Sequence, residues 1–215
     1  MSAHSEPDPL SRPARATTAP PPVPVKIIIA GGFGVGKTSS IGAVSEIEPL
    51  TTEAAMTADA AEIDVVPRGS AKTTTTVAMD FGRITIDSSI VLYTFGTPGQ
   101  ERFGFMWRDL SVGALGGIVL VDTERIADSF VAIDHFESLG LPFVVAVNQF
   151  EGRPVLALPE VRTATDVDPE VPVVEFDARE RESVKSVVLT LLDVVLRRAK
   201  AAQPSTIRPE VSHVG

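Results

Sequence analysis

A chain of 215 residues with 44% hydrophobic content can bury a substantial core, and its length suits one domain with tails rather than two domains. The formal charge of −9 argues against a protein that neutralises a phosphate backbone, so direct nucleic-acid binding is not expected. The absence of cysteine removes disulfides, thiolate metal sites, prenylation and palmitoylation, and no apolar run approaches the ~20 residues that span a bilayer; the expectation is a cytoplasmic chain without an integral membrane segment.

Residues 1–22 end in Ala19-Pro20-Pro21-Pro22 and are too poor in large apolar residues to bury a core, so they read as a disordered tail. The β-branched run at 25–30 (VKIIIA) then predicts a strand. It leads directly into GGFGVGKTSS, which holds the phosphate-binding pattern G-x-x-x-x-G-K-[ST] as Gly31, Gly36, Lys37 and Thr38. Glycines let successive backbone N–H groups turn toward one centre, the lysine supplies a point charge, and the threonine hydroxyl suits Mg²⁺. Gly34, Val35 and Ser39 complete the candidate cradle, and a helix over 37–46 adds the positive end of its dipole.

Residues 49–76 hold few large apolar side chains, many Thr and Ala, and the acids Glu53, Asp59, Glu62 and Asp64. That composition predicts a segment that is mobile without a ligand. Residues 77–86 and 90–95 alternate and are separated by Asp87-Ser88-Ser89, as in a hairpin. A helix is expected over 101–110. The continuous apolar runs at 118–122 (IVLVD) and 143–148 (FVVAVN) suit strands covered on both faces. Helices follow at 125–139 and 159–164, with a last strand at 171–176 between the second of these and the helix at 180–200. In that final helix Val184, Val187, Val188, Leu191, Leu192 and Val195 form a stripe at helical spacing. Residues 201–215 read as a second disordered tail. The sum is an α/β domain over 23–200, with a mostly parallel six-stranded sheet and helices on both faces.

Ligands of such sheets bind beyond the carboxyl ends of the strands. After the hairpin come Phe95-Gly96-Thr97-Pro98-Gly99-Gln100-Glu101; after the fifth strand, Asn148-Gln149-Phe150-Glu151; after the sixth, Asp177-Ala178-Arg179. Each is polar where any strand end would be polar, but together they stand in order behind a phosphate loop.

GGFGVGKTSS, KTTTTVAMDFGRI and FGTPGQERF resemble the Ras-like small GTPases, and within them a bacterial group of the conservon (MfpB-like) type related to the gliding-motility switch MglA. The resemblance implies a P-loop NTPase fold, GTP or GDP as ligand, and Mg²⁺ held by Thr38 and by Thr76 of the first switch. Lys37, Gly99 and Gln100 take the catalytic positions: Gly99 reads the γ-phosphate through its N–H, and Gln100 orients the attacking water. Asn148 and Glu151 correspond to the guanine-reading pair, with Gln149 between them, and Ala178, following Asp177, to the N–H that meets the guanine carbonyl. The implied partners are a roadblock-type protein, a DUF742-type protein, a sensor-like protein and a pentapeptide-repeat protein linked to DNA gyrase and fluoroquinolone susceptibility.

Three departures from the pattern stand out. Gly96 replaces the aspartate that holds Mg²⁺ through water, with Asp80 the nearest substitute; Gln149 and Glu151 replace the lysine and aspartate of N-K-x-D; and Thr76 follows Lys37 by 39 positions. The expected activity is slow GTP hydrolysis by a molecular switch. A nucleotide-bound interaction module with negligible turnover and an ATPase are the alternatives that the same residues leave open.

Overall fold

The computed structural model describes residues 20–48, 50–55, 76–99, 105–152 and 156–202. The expected tails, 1–22 and 201–215, therefore lie almost wholly outside the described residues, as does most of the segment at 49–76. Strands β1 (Val23–Gly31), β2 (Leu50–Ala55), β3 (Thr76–Thr85), β4 (Ile90–Gly96), β5 (Gly116–Val121), β6 (Phe143–Asn148) and β7 (Val173–Phe176) form one sheet in the order β2-β3-β4-β1-β5-β6-β7. From β4 to β7 the pairing is parallel, while β3 runs antiparallel to β4 and β2 antiparallel to β3. All six expected strands are present. The seventh, β2, lies in the segment expected to be mobile: its six residues take their order from ladder hydrogen bonds to β3, which composition does not register.

β1 is central because it is apolar on both faces, with Ile27 and Ile29 toward one core and Ile28 and Ala30 toward the other. The first core is closed by α1 (Lys37–Val44) and α5 (Arg181–Ala202), through Ile41, Val44, Val184, Val187, Val188 and Leu191. The second is closed by α2 (Phe105–Ser111), α3 (Phe130–Ser138) and α4 (Leu158–Thr165), through Trp107, Ile133, Phe136 and Val161. The helix expected over 125–139 begins as a 3-10 turn, Ile126–Ser129. Helices thus cover both faces, and the carboxyl ends of β1, β4, β5, β6 and β7 share one rim.

The stripe on α5 gives a stability test. Leu191 is fully buried in the first core while Leu189 is 60% exposed. In urea denaturation Leu191→Ala should lose about 2–5 kcal/mol, whereas Leu189→Ala should stay within about 0.5 kcal/mol of the parent.

Candidate nucleotide site

The loop between β1 and α1 turns on glycines in backbone conformations that other residues rarely adopt. Gly34 has φ 73° and Gly36 φ 106°, and a Cβ at Gly36 would stand 2.7 Å from Asn148 Nδ2. Gly36 is also the N-cap of α1, with no side-chain cap and no acid in the first turn, so the helix opens with N–H groups available to an anion. The loop borders a cleft of about 400 Å³ lined by Phe33, Gly34, Gly36, Lys37, Thr38, Ser39, Asp80, Thr97 and Gly99. Lys37 is buried, and its Nζ donates to the carbonyls of Gly31 at 2.8 Å and Gly32 at 2.6 Å. Burial lowers its pKa to about 8, against the opposing pull of Asp80.

At the start of α1, the Thr38 hydroxyl donates to Asp80 Oδ2 at 2.6 Å. A Cβ at Gly96 would lie 3.2 Å from Asp80 Cβ and 3.3 Å from Oδ2, so the residue that lacks the expected carboxylate is the one that makes room for Asp80. Gly99 presses onto the loop: a Cβ there would stand 2.8 Å from Lys37 Nζ and 2.9 Å from Phe33 Cα. Thr76 opens β3 opposite Ala55, four positions before Asp80. At about 3.4 Å per residue that is about 14 Å along the strand from Asp80. Gln100 lies outside the described residues. Hydroxyl and carboxylate oxygens are the donor set that Mg²⁺ prefers. Among the described residues no three His, Cys, Asp or Glu side chains form a metal cage.

On the opposite side, Asn148 and Ala178 are joined to each other. Asn148 Oδ1 accepts from Ala178 N–H at 2.9 Å, and its Nδ2 donates to the Val35 carbonyl at 3.0 Å. This contrasts with the expected role of the Ala178 N–H, which here is consumed inside the protein: a buried N–H and a buried amide satisfy each other. Gln149 N–H donates to Phe176 O, continuing the ladder to β7. Glu151 is 91% exposed and stands 3.8 Å from Arg179, which is held by Asp177 at 2.7 Å.

A third group was not found by motif. Arg125 Nη2 donates to the Phe33 carbonyl at 2.8 Å, with the buried Asp122 at 3.4 Å and Asp128 at 3.5 Å on either side of the guanidinium. Asp128 lies so close to Gly32 that a Cβ there would meet it at 2.6 Å. The signal was available, because Asp122 follows β5 directly and the strand-end rule applies there as it does to β4, β6 and β7.

The Lys37 environment sets a pH dependence. Its lowered pKa means that the buried charge destabilises the ligand-free fold fully below pH 8, and that this cost fades as pH rises toward 10.5. Phosphate oxygens favour the charged form, so binding above pH 8 requires proton uptake. Affinity for a nucleoside triphosphate should be insensitive to Lys37 just below pH 8 and fall up to about tenfold per unit above it, read by calorimetry from pH 7 to 9.5; a Lys37→Arg protein that still binds should lose that fall.

The profile of a family described as "Conserved hypothetical ATP binding protein" matches residues 29–199. The uncharacterized protein MJ1339 of Methanocaldococcus jannaschii is 30% identical over 128 residues, which cover 58% of this chain and 70% of that protein. Among solved structures, the cytosolic domain of the T. maritima FeoB iron transporter in GDP form I is similar with a TM-score of 0.55 and 16% identity, over 82% of this chain. The chain spans 65% of that structure's length, and the likeness is one of fold. The family match takes in the phosphate loop, the polar strand ends and the helices that support them, and the chain belongs to this family of nucleotide-binding, P-loop NTPase-like proteins.

Proposed function

We propose that the chain is a GTP-binding molecular switch that hydrolyses GTP slowly and needs Mg²⁺. The observation that carries this reading is the 2.6 Å bond from Thr38 to Asp80, which ties the hydroxyl of the loop to strand β3 of the β3–β4 hairpin. A change at the terminal phosphate is then felt by a strand that begins at Thr76. Thr38 and Asp80 would hold Mg²⁺, directly or through water, and the ion would neutralise charge between the β- and γ-phosphates. Lys37 exchanges two loop carbonyls for phosphate oxygens, and the N–H groups of the loop and of Gly99 cradle the rest. Gln100, one residue beyond Gly99, orients the water for in-line attack. In this reading the chain is of the conservon type and cytoplasmic; among the described residues no helix is long and apolar enough to cross a membrane. Its partners would be the roadblock-type, DUF742-type, sensor-like and pentapeptide-repeat proteins of such systems.

A second reading, ATP as ligand, is favoured by the description of the family and by the internal pairing of Asn148 with Ala178. Side-by-side titration of GTP and ATP separates the two. GTP should bind more tightly, and tighter ATP binding would replace the first reading by the second. Lys37→Ala should abolish measurable binding of either, because the cradle then opposes several anionic oxygens with backbone dipoles alone. Hydrolysis by the isolated protein should proceed at about 10⁻⁴ to 10⁻³ s⁻¹, and Gln100→Leu should slow it while leaving affinity nearly unchanged.

A further inference from the structure

The base end of the site contains a donor that the family pattern does not supply. The Ala178 N–H and both ends of the Asn148 amide are engaged with each other and with Val35, and both residues are nearly inaccessible. Displacing that tie would unpair buried groups and release the loop from behind, since Ala178 and Asn148 also pack against Gly36. A purine carbonyl at this end therefore needs another partner. Arg179 is the next residue. Its Nε and Nη2 form a fork on Asp177, at 3.0 and 2.7 Å, and its own N–H donates to Asp177 Oδ1 at 2.8 Å. Asp177 is anchored in turn by its N–H to Ser183 Oγ at 2.9 Å. The guanidinium is thus fixed in plane on one edge, while Nη1 faces Glu151 Oε1 across 3.8 Å, beyond hydrogen-bond length.

Resting on the GTP reading above, we infer that Arg179 is a specificity determinant whose guanidinium donates to the 6-carbonyl of guanine while Glu151 accepts from the ring N–H and the 2-amino group. Guanine presents an acceptor at position 6 followed by donors at 1 and 2; adenine presents a donor and then an acceptor. Arg179 stands one residue beyond the Asn148–Ala178 tie and Glu151 three residues beyond β6, and the two side chains face each other across 3.8 Å, so they offer a donor and an acceptor side by side, as the 6-carbonyl and the ring N–H of guanine require. Before nucleotide binds, the Arg179–Glu151 pair is solvated and too long to be strong, and little is lost when both groups turn to the base. Asp177 supplies the preorganisation: its fork on Nε and Nη2 limits the rotamers that Arg179 loses on binding.

The test uses the full chain with GTP, 6-thio-GTP, in which the acceptor at position 6 is weakened, ITP, which lacks the 2-amino group, and ATP. The parent should prefer GTP over 6-thio-GTP by about tenfold or more, as expected for a hydrogen bond from a charged donor. Arg179→Ala should remove most of that preference while keeping the GTP-to-ITP ratio; Glu151→Gln should do the reverse. Arg179→Lys, which keeps charge but loses the fork, should fall between. A GTP to 6-thio-GTP ratio unchanged in Arg179→Ala, or an equal loss for all four nucleotides, would overturn the assignment and leave Arg179 a general electrostatic residue. Tighter binding of ATP than GTP by the parent would instead remove the GTP reading on which it rests.

Discussion

An anion site made of backbone N–H groups requires a loop held from outside, because the glycines that let the N–H groups converge do nothing to keep them there. Three side chains among the described residues serve that requirement. Lys37 bonds the Gly31 and Gly32 carbonyls from within, Asn148 bonds Val35 from the β6 side, and Arg125 bonds Phe33 from the β5 side. In each case a side-chain N–H donor takes a carbonyl, which turns the adjoining peptide N–H groups toward the cleft. The ties originate on α1 and at the ends of the strands, whose positions are fixed by the two cores beneath. The glycine-rich loop inherits its rigidity from β-branched packing several residues away.

Those ties also explain why the charges tolerate one another. Arg125 carries its positive charge beside the cradle but is flanked by Asp122 and Asp128, so it acts on the loop through geometry more than through field. Lys37 has only the partly buried Asp80 as a carboxylate influence, and its charge remains available to phosphate. Among the described residues the net effect is a lysine held by carbonyls at the centre of the loop and compensated pairs around it. A phosphate group entering the loop meets that arrangement without displacing Arg125 from its carboxylates.

The sheet, its two covered faces and the phosphate loop were legible because their signals are local: a β-branched run, a strict motif, a stripe at helical spacing. β2 was not, since LTTEAA has no apolar alternation and is a strand only because β3 offers it a ladder. Nor was the role of Asn148 as a tie. Its placement at the end of β6 followed from the sequence, but which groups it meets depends on a loop 113 positions earlier and a turn 30 positions later. Asp80 is marked in the sequence only as the acid nearest the altered motif, and it is the register of the β3–β4 hairpin that makes it a contact of Thr38. Arg125 carried no motif at all, and its partner is a backbone carbonyl, which has no sequence identity to recognise.

That register is what joins the hairpin to the chemistry. Phe81 pairs with Phe95 and Arg83 with Tyr93, and this alignment sets Asp80 beside the bare Cα of Gly96, within reach of Thr38. Side chains alternate faces along a strand, so a slip of one residue would turn Asp80 to the opposite face and a slip of two would carry it about 7 Å along the strand. Neither position keeps the 2.6 Å bond. Stacking of Phe81 on Tyr93 and its tilted contact with Phe95 resist such slips from one face of the hairpin, and the close fit of Gly82 against Ile41 and Thr94 resists them from the other. The link between Thr38 and β3 therefore rests on the register of the β3–β4 pair as much as on the two side chains that make it.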